Sequence, residues 1–87
     1  MNTIELIRDR LALMPVEHLD IEDESAQHAG HAGARSGGGH FRMHIISTAF
    51  HGKTTLARHR MVYDALGELM QHQIHALSIT AHTPEEL

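Results

Sequence analysis

The 87-residue sequence contains no cysteine and no tryptophan, and only one tyrosine and two phenylalanines. Without cysteine the chain cannot form a disulfide, offer a thiolate nucleophile, or build a zinc finger or iron–sulfur site from its own ligands alone. With aromatics at 3%, the core must come mostly from Leu, Ile, Val, Met and Ala. No apolar run approaches the roughly 18 residues a membrane span needs. The N-terminal MNTIELIRDR lacks the basic and apolar regions of a secretory signal, so cytoplasm is the expected compartment and an organelle matrix the alternative. Basic residues are also scarce. The net charge of -4 disfavours loose binding to phosphate backbones. The length suits one domain over residues 1–87, and a chain this short buries only about 60% of the surface its unfolded form exposes.

What the sequence has in excess is histidine. Its ten histidines outnumber the seven lysines and arginines. Several protonations near pH 6 would erase or reverse the net charge.

Asn2 can cap a helix, with Glu5 as the reciprocal residue. Ile4, Ile7, Leu11 and Met14 then recur at helical spacing until Pro15, predicting a helix over 3–14. From Val16 to Glu24 the period drops to two, which suits a strand with one wet face at a sheet edge. Residues 25–40 form a loop that holds five of the seven glycines, with His28 and His31 inside it. Phe41 to Ser47 alternates again, with Phe41, Met43 and Ile45 on one face and Arg42, His44 and Ile46 on the other. The two strands suggest an antiparallel hairpin. Ala49 to Lys53 reads as a turn.

Thr54 or Thr55 can cap a second helix, breakable in two, with a stripe of Leu56, His59, Tyr63, Leu66 and Met70 widened by Val62 and Leu69. Gly67 inside it costs about 1 kcal/mol against alanine and suggests a close helix–sheet contact. Ile74 to Ala81 reads as a third strand, more apolar than the first and so central, parallel to the second through a right-handed crossover. Thr83-Pro84-Glu85-Glu86 announces a last helical turn. The expected fold class is α+β, with one layer of helices on a three-stranded mixed sheet.

Three constellations carry chemical interest. His28-x-x-His31, with His40 nearby, has metal-ligand spacing, and neutral imidazoles favour zinc, nickel, copper or iron. Solvated loop histidines are the plainer alternative. His75 opens the third strand, where an imidazole is rigidly aimed, as a ligand or as a hydrogen-bonded strand end. Arg58-His59-Arg60 lies on the second helix, where His59 can face the core and the arginines an acidic or phosphate group. Gly30-His31-Ala32-Gly33 fits the G-x-x-G pattern of nucleic-acid clamps, but it lies between strands and holds no basic residue, so the match reads as accidental. No serine sits in a nucleophile elbow, and no nucleophile–base pair can be assembled, so no enzyme is expected.

Asp23-Glu24-Ser25, His28-Ala29-Gly30-His31-Ala32-Gly33, Gly38-Gly39-His40-Phe41, Ser47, Phe50-x-Gly52, Arg58-His59-Arg60, Tyr63, Leu66 and Ile74-His75-Ala76-Leu77 together resemble the BolA family from about residue 3 to residue 86. The resemblance implies a type II KH-like fold, αββααβ with a short last helix. It also implies a monothiol glutaredoxin partner. In that heterodimer a [2Fe–2S] cluster is shared with the glutaredoxin cysteine and glutathione, and the isolated chain is expected to hold none. By resemblance His75 is the strand ligand and His28 the loop ligand, with His31 as its substitute. His40, Arg58, His59 and Arg60 occupy motif positions that support the site or face the partner. Imidazole in place of thiolate raises a cluster's potential and makes binding sensitive to acid.

The implied function is a non-enzymatic iron–sulfur adaptor. The alternative of another class is weak DNA binding and transcription regulation through the KH-like fold. Zinc or nickel binding by the loop alone is a third.

Overall fold

The computed structural model describes residues 2–25 and 39–87. His28, His31 and the G-x-x-G tetrad lie outside the described residues, as does nearly all of the predicted loop.

The first helix, α1 (Thr3–Leu11), starts where predicted: the Asn2 side chain accepts the Glu5 N–H at 2.9 Å. Glu5 in its first turn and Arg8 and Arg10 in its last suit the helix dipole. It ends three residues earlier than the apolar spacing suggests. Pro15 disfavours helical geometry at Met14, and the chain turns instead, with the Met14 N–H donating to Leu11 O at 3.0 Å.

Strand β1 (Val16–Asp23) pairs antiparallel with β2 (Gly39–Ser47), from Val16 opposite Ser47 to Asp23 opposite Phe41. A 3-10 turn (Thr48–Phe50) buries Phe50, and Gly52 takes a positive φ of 73° beyond it. Helix α2 (Thr55–Leu66) is capped by Thr54, which accepts the Ala57 N–H at 3.1 Å. Gly67 ends it with φ 55°, and a 3-10 turn (Gly67–Gln71) leads to β3 (Ile74–His82). The predicted close helix–sheet contact at Gly67 is not there. A Cβ would meet only Arg10 Nη1 at 3.7 Å, and the glycine serves the positive φ of the helix end.

Strand β3 runs parallel to β2, as expected, but it is an edge strand, not the central one; the sheet order is β1-β2-β3. Strand β2 is the more deeply covered. Phe41, Met43 and Ile45 are buried against the helices, and Ile46 is buried on the opposite face. Ile7 and Leu11 of α1, and Val62 and Leu66 of α2, close over the face of Phe41, Met43 and Ile45 to complete the core with Phe50, Leu69 and Ile74.

Val62 and Leu66 of α2, and Leu69 just after it, are buried as the predicted stripe requires, but the stripe does not turn inward throughout. Leu56 is 59% exposed and Tyr63 39%, while Arg58, Val62 and Leu66 turn inward. Arg58, which is not part of that stripe, is held inward by an ion pair. The Arg58 guanidinium meets the Glu86 carboxylate with two bonds, at 2.6 and 2.9 Å. It also donates to Lys53 O at 2.9 Å and to Ala81 O at 3.1 Å, and lies over the Phe50 ring. Glu86 belongs to the final 3-10 turn (Pro84–Glu86) and accepts the Thr83 N–H at 2.8 Å. Apolar spacing cannot anticipate a buried arginine held by a residue 28 positions away.

Candidate functional site

The end of the sheet where β1 leaves and β2 enters is tightly built. The Glu24 N–H donates to His40 O at 2.7 Å, and the His40 N–H donates to Ser25 Oγ at 3.1 Å. The Ser25 N–H donates to Asp23 Oδ1 at 2.9 Å. Hydrogen bonds from the Ser25 side chain and backbone hold the Asp23 carboxyl below its ordinary value. Arg42 pairs with Glu24 at 3.3 Å. Gly39 donates its N–H to Gln73 O at 2.9 Å, which ties the same corner to the start of β3. A side chain at Gly39 would force its neighbours to move: a Cβ would stand 2.5 Å from Phe41 Cε2 and 3.0 Å from Ser25 Oγ.

The β2–β3 register places His75 in a particular way. Gly39 is opposite Ile74 and His40 is opposite Ala76, so His75 is the extra residue of a bulge. A bulge breaks the alternation of a strand and re-aims a side chain. Ile74 can therefore enter the core while Leu77, Ile79 and Ala81 still pack against it three, five and seven residues on. His75 is left exposed at the tip, its ring 5.0 Å from that of half-buried His40 and tilted by 43°. His40 also lines a shallow depression of about 240 Å³ with Glu24, Phe41, Ala76, Leu77 and Ser78.

The structure thus brings His40 and His75 together at the stems of the 26–38 segment. Arg58, half-buried His59 and exposed Arg60 lie elsewhere, on α2. Arg58 grips Ala81 O, six residues along β3 from His75, about 20 Å at strand spacing. Its guanidinium is occupied within the chain. The charge-assisted pair pushes Arg58 further up from its ordinary value and holds Glu86 down at about 2, from 4.5. Among the described residues no three His, Cys, Asp or Glu side chains already stand as a metal site. None of the helices among those residues is long and apolar enough to cross a membrane.

Two features escaped the sequence reading. One is the Arg58–Glu86 clasp, for which the Thr-Pro-Glu-Glu capping signal names one partner only. The other is a histidine group on the helix-free face of the sheet, formed by His18, His44 and His82. Strand alternation puts each on that face, but only the register makes them neighbours.

A family profile described as BolA-like protein matches residues 10–86. The chain is 48% identical over 93% of its length to SufE-like protein 1, chloroplastic/mitochondrial, of Arabidopsis thaliana, covering 24% of that protein. It is 44% identical over 98% of its length to Protein BOLA1, chloroplastic, of the same plant, covering 56% of it. It is 39% identical over 88% of its length to the DNA-binding transcriptional regulator BolA of Escherichia coli strain K12, covering 70% of it. The solved BolA domain of SufE1 from Arabidopsis thaliana superposes with a TM-score of 0.84 at 40% identity, covering 100% of this chain and 99% of that one. Fold, sequence and profile agree: the chain belongs to the BolA-like protein family. It spans about a quarter and about half of the two Arabidopsis relatives.

Proposed function

We propose that the chain is a non-enzymatic adaptor that pairs with a monothiol glutaredoxin and supplies imidazole ligands to a shared [2Fe–2S] cluster. The observation that carries this reading is the exposed His75 at a bulged strand end, backed by the His40 ring at 5.0 Å. The donor set fits such a group only as one half of a site. The chain offers imidazole nitrogen and no thiolate, so cysteine and glutathione sulfur must come from the partner.

His75 is the rigid ligand. The second comes from the segment that leaves Ser25, where His28 follows three residues on and His31 six. One ligand on a fixed strand end and one on a connecting segment suit a cluster that is received and passed on, or sensed. The ligating imidazoles must be neutral, so acid favours release. Cytoplasm or an organelle matrix is the proposed compartment, and the organelle names of the two Arabidopsis relatives support the latter.

His75→Ala removes the rigid ligand from an exposed position, so the fold is expected to persist while the heterodimer's visible absorption and circular dichroism are lost. An unchanged spectrum takes His75 out of the ligand set. DNA binding is the second reading, favoured by the name of the Escherichia coli relative and opposed by the charge of -4. Duplex affinity measured against salt separates the two. Base-selective binding that persists near physiological salt supports regulation; binding that vanishes with salt is charge attraction alone.

A further inference from the structure

We propose that the helix-free face of the sheet carries a site for a divalent transition-metal ion, seated on His44 and His82 and distinct from the His40–His75 end. The seat is built by register. His44 lies opposite Thr80 and Ile46 opposite His82, so the two histidines are diagonal neighbours on adjacent strands. His44 Nε2 and His82 Nδ1 are 3.2 Å apart, with the rings at 86°. Two imidazole nitrogens bound at about 2.0–2.1 Å to one tetrahedral metal stand about 3.3 Å from each other. The pair is already at the separation a shared metal requires. Binding replaces the proton now between the two nitrogens: each ring turns out of the hydrogen-bond geometry to aim a lone pair at the ion and carries its proton on its other nitrogen.

A third donor is at hand on β1. Asp20 is directly opposite His44, and the His18 ring is 6.2 Å from that of His44. His18 Nε2 bonds Asp20 Oδ2 at 3.1 Å, with the two side chains 51% and 72% exposed. With Nε2–H donated to the carboxylate, His18 keeps Nδ1 to offer. A carboxylate that orients a ligating histidine in this way is a common support of metal sites. His18 does not stand at the seat without metal, since no three such side chains are gathered among the described residues; its approach is part of the proposal, and water completes four-coordination. All-nitrogen donors select zinc, nickel or copper over magnesium or calcium. His40 and His44 are four residues apart on β2, about 13 Å at strand spacing, too far for one ion to join the two ends.

The test uses the full-length chain carrying H28A, H31A and H75A, which silence the loop and the strand-end ligand. Zinc is titrated by calorimetry, and imidazole nitrogens are followed by long-range proton–nitrogen correlation spectra. The expected result is one-to-one binding that moves the His44 and His82 resonances. H44Q or H82Q added to that background should weaken it by at least about tenfold, and D20N by less. Circular dichroism without metal should be the same in all variants, because these positions lie outside the helix-covered core. Three results would overturn the proposal: no saturable binding, shifts confined to His51, His59 or His72, or an affinity indifferent to H44Q and H82Q. None of these bears on the glutaredoxin reading, which uses the other end of the sheet.

Discussion

Glu86 shows how much one side chain can organise. It caps the last turn through the Thr83 N–H and neutralises a buried arginine that itself holds Lys53 O and Ala81 O. Its carboxyl is held at about 2, below its ordinary 4.5, chiefly by hydrogen bonds from Arg58. A depressed carboxyl stabilises the fold above its unfolded value and loses that contribution as pH falls through the folded one. Urea unfolding between pH 6 and pH 2 should therefore show wild type losing stability below about pH 4.5. The difference between wild type and Glu86→Gln should shrink over that same interval. Equal slopes for the two proteins would remove the clasp as the cause. His75 makes the complementary point at this scale. Its side chain is exposed, so its loss should cost the fold little and the proposed cluster everything.

At the scale of elements, β2 is the frame. Its inward residues build the core, its first two residues fasten the loop stems, and its outward histidines meet β1 and β3. Gly39→Ala is expected to destabilise by about 1–3 kcal/mol, the range for overpacking, because the added carbon collides with the buried Phe41 ring. Urea denaturation measures it; a neutral substitution would mean that the ring gives way without loss. Leu66→Ala should cost about 2–5 kcal/mol by the same measurement, since its side chain is wholly buried.

Much of this level was legible in the sequence: the caps at Asn2 and Thr54, the inward run of Phe41, Met43 and Ile45, and the parallel return of β3. The failures share a cause. Spacing treats arginine as outward, so it missed Arg58, and it turned Leu56 and Tyr63 inward where the structure exposes them. Composition made β3 central, although pairing decides that. The bulge at His75 breaks the very alternation on which strand reading depends. In the site, the sequence named His40 and His75 but could not show them adjacent.

The whole molecule divides its work along the sheet. One end is closed by the Arg58–Glu86 pair, where α2, β3 and the last turn converge. The other gathers Asp23, Glu24, Ser25, Gly39, His40 and His75 around the stems of the 26–38 segment. The proposed binding at that end leaves the clasp that holds the fold untouched, which suits the proposed role in a small chain with a thin stability margin. The lack of cysteine makes the proposed function a property of a complex and never of the chain alone.

The most direct measurement is an anaerobic titration of a cluster-loaded monothiol glutaredoxin homodimer with this protein, followed by visible absorption and circular dichroism. A spectral change that saturates at one-to-one stoichiometry, and is absent with His75→Ala, is the predicted result. A folded wild-type protein that leaves the homodimer's spectrum unchanged would contradict the account.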